Sequence, residues 1–232
     1  MSSAEGPRTQ RESRAVWSVS EAITYLNKIR FDPEKEYFVF SLDPKRNPIT
    51  PTELRILTSF EFEFGITEDR GILYIETGKK NYVGGESDKN NKRRDTSRLS
   101  LHTHPNHEGE ATVHTPSFSD IYITDFASKN TPLVLATSEG IIFYGKPTYD
   151  PINKKAWTGE PRDLMLMYSK HYGYDIFCAN LDGLKNFDSM SKPEMAAFQR
   201  RFAIETKAIT AEIPWSDTKR IAEAMKIVNL GR

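Results

Sequence analysis

The 232-residue chain is nearly free of cysteine: Cys178 stands alone, so no intramolecular disulfide framework can form, and an intracellular protein is expected. It also lacks net charge. Thirty-two Lys and Arg balance 32 Asp and Glu, which leaves no global field favouring nucleic acid or an anionic membrane. No apolar run approaches the roughly 20 residues that a bilayer-spanning helix needs, and Met1 to Arg14 is polar, without the apolar stretch of a secretory signal. Internal repeats, heptads and low-complexity tracts are missing as well. These absences predict a soluble protein of the cytoplasm or nucleus that binds neither nucleic acid nor membrane. The length suits one substantial domain with an appendage.

What the chain does have is one chemically dense stretch. Leu99-Ser100-Leu101-His102-Thr103-His104-Pro105 reads as a strand, whose period of two turns His102 and His104 to the same side while Pro105 forces the chain out of the sheet. Ser117-Phe118-Ser119-Asp120 then reads as a helix start that brings a carboxylate one turn in. Two imidazoles and a carboxylate make a donor set for one Zn2+ ion. Zinc takes such ligands at about 2.0–2.2 Å, and catalytic sites leave a fourth position for water. The plainer alternative stays open: Ser-x-x-Asp is also a helix capping box, and two histidines can simply end a strand.

Along the chain, residues 1–15 read as a disordered tail. Ser18 caps a helix carrying Ala22, Ile23, Leu26 and Ile29; Tyr37–Leu42 is a strand; and Thr50-Pro51-Thr52-Glu53 opens a helix whose apolar face continues through Phe60 and Phe64 to Gly65. Gly71–Ile75 is a second strand after the polar stretch Thr67–Arg70. Residues 78–97 form a charged loop or hairpin, and Leu133–Thr137 with Ile141–Tyr144 form an antiparallel hairpin. From Asp150 on, helices are expected over Arg162–Tyr172, from Ser191 past Phe202, and over Ser216–Leu230. The expected fold is therefore α/β of the α+β kind, a mixed and largely antiparallel sheet flanked by helices over 16–150, with a helical C-terminal appendage over 151–232.

His102-Thr103-His104-Pro105 followed by Ser117-x-x-Asp120 resembles the JAMM (MPN+) metalloprotease motif, over about residues 36–147. The resemblance implies a layout of the cytidine-deaminase type, one zinc ion held by His102, His104 and Asp120, and hydrolysis of isopeptide or peptide bonds to ubiquitin or a ubiquitin-like protein. It further implies a catalytic glutamate ahead of a Gly-Leu-Leu-type strand. Glu68 fits that place best, with Glu76, Glu63 and Glu53 as rivals. Ser117 takes the part of the hydroxyl that stabilises the oxyanion. The gap from His104 to Ser117 is longer than the family's usual spacing and holds His107, Glu108, Glu110 and His114, any of which can contribute a ligand or a flap.

Three other readings compete: a non-catalytic scaffold of the same fold, a different metal-dependent hydrolase of small amides or phosphodiesters, and an interaction module that enters a protein complex through its C-terminal helices. Residues 151–232 match no family pattern. His171 is the only histidine outside the 102–114 window, too few for a His-rich hydrolase barrel.

Overall fold

The computed structural model describes residues 9–11, 14–16, 18–79, 99–105, 114–124, 131–176, 185–186 and 189–230. In chain order the elements are β1 (Thr9–Gln10), β2 (Arg14–Ala15), α1 (Val19–Ile29), β3 (Glu36–Tyr37), β4 (Val39–Leu42), α2 (Pro51–Leu57), β5 (Phe64–Asp69), β6 (Ile72–Thr77), β7 (Ser100–Thr103) and α3 (Phe118–Ile123). There follow β8 (Leu133–Ala136), β9 (Gly140–Tyr144), β10 (Tyr149–Asp150), β11 (Lys155–Ala156), α4 (Pro161–His171), β12 (Tyr174–Asp175), β13 (Lys185–Asn186), α5 (Lys192–Glu205), β14 (Ile209–Pro214) and α6 (Thr218–Leu230). Helices flank a mixed, mostly antiparallel sheet with strand order β14-β9-β8-β7-β5-β6-β4-β2. The class expected from the sequence is thus present.

The helix starts follow the sequence. Ser18 accepts the Glu21 N–H, and Thr50 and Glu53 cap each other reciprocally ahead of Pro51. The helix ends do not all follow. α2 stops at Leu57 instead of running to Gly65, because Phe60-Glu61-Phe62-Glu63-Phe64 alternates with a period of two and feeds a strand. The Phe62 and Phe64 rings meet at a tilt of 43° with centroids 4.9 Å apart, and Phe60 is edge-on to both. β5 then runs through Asp69, taking in most of the polar stretch Thr67–Arg70, and folds back on β6 through Arg70 (φ 53°) and Gly71 (φ 84°). A two-residue turn with both φ values positive matches the twist of the flanking strands, and glycine enters that region without strain.

The compact units differ from the expected boundary near residue 150. One unit comprises residues 1–106, 128–141 and 213–232; the other comprises 107–127 and 142–212. In the first, Phe38, Phe40, Leu54, Leu57, Phe64, Ile66, Leu73 and Ile75 are almost fully buried. The C-terminal helix α6 belongs here: Asn229 accepts the Ile49 N–H at 2.7 Å and donates to the Ile49 carbonyl at 2.9 Å. The expected tail is also partly built in. β1 pairs in parallel with β3 and β2 with β4, with the Arg11 guanidinium on Glu36 and that of Arg14 4.3 Å from the centre of the Tyr25 ring. Edge pairing uses backbone groups, so it needs none of the apolar periodicity that this segment lacks.

In the second unit the core is Ile121, Leu164, Met165, Tyr168, Phe198, Phe202, Ala203 and Ala208. Tyr168 donates to Glu205 at 2.7 Å, Arg201 donates to Glu205 at 2.9 Å and to the Tyr172 hydroxyl at 2.8 Å. Burial, then the bond to Glu205, pushes the Tyr168 phenol well above its ordinary range, which keeps it a donor.

Candidate metal centre

β7 and the residue that follows it carry the first two candidate ligands. The strand pairs antiparallel with β5, Gly65 opposite His102, and parallel with β8, His102 opposite Leu135. The His104 N–H donates to the Ala136 carbonyl at 2.9 Å, so the backbone keeps its strand course through the second histidine. Alternation then turns both imidazoles to one face, while Thr103 faces the other and accepts the buried Phe64 N–H at 2.8 Å. The Nε2 atoms of His102 and His104 stand 3.2 Å apart. Two nitrogens bound to zinc at about 2.0–2.1 Å with a tetrahedral angle are about 3.3–3.4 Å apart, so the histidine pair fits that ion.

α3 carries the third. Ser117 is its N-cap: its Oγ accepts the Asp120 N–H at 3.1 Å, and Asp120 Oδ2 accepts the Ser117 N–H at 2.7 Å. The capping box read in the sequence is therefore real, and it does not compete with metal binding, because a carboxylate has two oxygens and several lone pairs. One ligand atom from each of His102, His104 and Asp120 lies within 4.8 Å of the others, a grouping that can hold a metal ion. It is the one such group of His, Cys, Asp and Glu among the described residues.

The glutamates separate cleanly by face. Residues directly opposite in an antiparallel pair project to the same side. Gly65 faces His102 on one side and Glu76 on the other, so Glu76 shares the His102 face. Glu63, two residues before Gly65, falls on the same side by alternation, at a bulge that ends the regular ladder: Glu63 N–H donates to the Lys79 carbonyl at 2.9 Å and Gly78 N–H to the Glu63 carbonyl at 2.7 Å. Glu68 lies three residues beyond Gly65 and projects from the opposite face, where its Oε1 accepts the Gly71 N–H at 2.6 Å and closes the hairpin turn. Glu53 is occupied by Ser20 on one oxygen and Thr50 on the other.

Glu63 and Glu76 are only 7% and 8% exposed, an unusual burial for carboxylates on a sheet face. The sequence signal for Glu63 was the Phe60-x-Phe62-x-Phe64 alternation, which puts Glu61, Glu63 and Gly65 on the face away from the phenylalanines. Of the loop residues considered as extra ligands, His107, Glu108 and Glu110 lie outside the described residues; the His114 carbonyl accepts from Arg200 at 3.4 Å. No family model, curated protein or solved structure matches this chain.

Proposed function

We propose that this chain is a zinc-dependent hydrolase of amide bonds, acting on peptide or isopeptide conjugates of ubiquitin or a ubiquitin-like protein. The observation that carries the reading is the His102–His104 pair, with Nε2 atoms 3.2 Å apart and an Asp120 oxygen within 4.8 Å. Nitrogen and carboxylate donors without a cysteine are the ligand chemistry of catalytic zinc centres. A zinc ion bound by these three residues supplies a Lewis acid and lowers the pKa of its water toward about 7.

The remaining work falls to protein side chains. A carboxylate must take the proton of the attacking water and deliver it to the departing amine, since an amine leaves poorly unless protonated. We assign that role to Glu63 rather than Glu68, because Glu63 lies two residues before Gly65, the partner of His102, and so falls on the histidine face, whereas Glu68 projects from the other. Glu76 is the neighbouring carboxylate across Gly65. Ser117 keeps its proposed part: its Oγ accepts from the Asp120 amide, which leaves the hydroxyl proton available to donate to the carbonyl oxygen as negative charge develops there.

The experiment is a zinc stoichiometry measured together with turnover of isopeptide-linked and C-terminal amide conjugates, with and without chelator. One equivalent of zinc and chelator-sensitive cleavage are expected. Stoichiometric zinc without cleavage of any conjugate would instead mark a non-catalytic scaffold, and failure to bind zinc would end the proposal.

A further inference from the structure

Helix α3 has six residues, too few to persist on propensity alone, so something outside it must fix where Asp120 stands. The contacts come from α4 and α5. Phe118, the first residue of α3, meets Phe202 edge-on at 5.0 Å and Phe198 at 6.0 Å, while Ile121 is fully buried in the same core. Two turns of α5 thus grip the helix by its apolar side. On the polar side, Arg200 reaches the His114 carbonyl at 3.4 Å, and its guanidinium is itself held by Glu212 through Nη1–Oε1 at 2.9 Å and Nη2–Oε2 at 3.1 Å.

From His114 the chain reaches the cap in three residues. Thr115 and Pro116 are buried, and proline fixes one of the intervening dihedrals, so the link is short and stiff. A displacement at the His114 carbonyl is therefore passed to Ser117 and, through the reciprocal cap, to Asp120. We infer that Arg200 is a positioning residue for Asp120, setting the third ligand through the His114 carbonyl while Phe198 and Phe202 hold the helix behind it. This assigns residues 192–205 a part in the centre, although their pattern alone suggested only a helical appendage. The inference rests on the proposed metal centre for its effect on zinc, but its structural half does not.

Arg200 is well suited to a test because its ion pair with Glu212 is about two-fifths exposed at each partner, so its loss has little effect on folding. The primary measurement is amide hydrogen exchange on metal-free protein. Arg200→Ala should speed exchange at the Asp120 amide severalfold, leaving the Glu53 amide in the equivalent cap of α2 unchanged, and Arg200→Lys should restore part of the protection. Zinc affinity by chelator competition should fall about tenfold, as when a partner behind a ligand is removed, and the visible d–d band of the cobalt(II)-substituted protein should shift. Unchanged exchange at Asp120 in Arg200→Ala overturns the inference whether or not zinc binds. Faster exchange in a chain that binds no zinc supports the positioning and sinks only the metal reading.

Discussion

Glu68 and His102 project from opposite faces of one sheet, because Glu68 is an odd number of residues from Gly65, the residue paired with His102. Glu63→Gln should therefore lower turnover by about 10²–10⁴-fold with zinc retained, whereas Glu68→Gln should leave turnover close to that of the unaltered chain. Rates and zinc content measured on the same samples separate the two. Full activity in Glu63→Gln would move the base to Glu76.

Asp120 serves both as cap and as proposed ligand, and Asp120→Asn divides the roles. The amide oxygen can still accept the Ser117 N–H, so the melting temperature of metal-free protein should stay within a few degrees, while zinc affinity drops. His104→Ala should lose zinc with no cap to disturb. Calorimetric titration with zinc beside thermal melts is the check; an Asp120→Asn protein binding zinc as tightly as the unaltered one would exclude the carboxylate as a ligand.

Glu205 is held below its ordinary range. Burial alone would raise it, but the bonds from Arg201 and then Tyr168 outweigh that. A carboxylate whose folded pKa lies below its unfolded value of about 4.3 stabilises the fold above that value and loses the contribution as pH falls through the folded pKa. Urea midpoints should therefore fall between about pH 5 and about pH 3, and Glu205→Gln should flatten that limb. A parallel profile in the variant would mean that other carboxylates govern acid unfolding.

Asn229→Ala should destabilise the fold by about 1–3 kcal/mol, since it leaves the Ile49 N–H and carbonyl without the side chain that satisfies both. Equilibrium denaturation measures it. A loss below about 0.5 kcal/mol would imply that water replaces the amide.

The histidine pair and the caps were legible because their signals are local: a period of two before a proline at His104-Pro105, and side chains reaching three residues along the chain at Ser18, Thr50 and Ser117. The strand that carries the proposed base was harder to read. Leu54, Leu57, Phe60 and Phe64 can be fitted to a helical face, and only tertiary packing of Phe60, Phe62 and Phe64 settles that the latter part alternates as a strand. The strand at 209–214 and the pairing of α6 with Ile49 depend on partners far away in sequence, 180 residues in the case of Asn229. No window of neighbouring residues contains that information.

Among the described residues β2 is the last strand on its side of the sheet, and it is only two residues long, so Arg14 and Ala15 stand over the outer hydrogen-bonding row of β4. A shortened protein begun at Val19 would uncover Val39-Phe40-Ser41-Leu42, an apolar row ready to recruit another chain strand to strand. Purification tags joined close to these leading residues carry the same hazard, and aggregation of such preparations would report on a missing border rather than on an unstable interior.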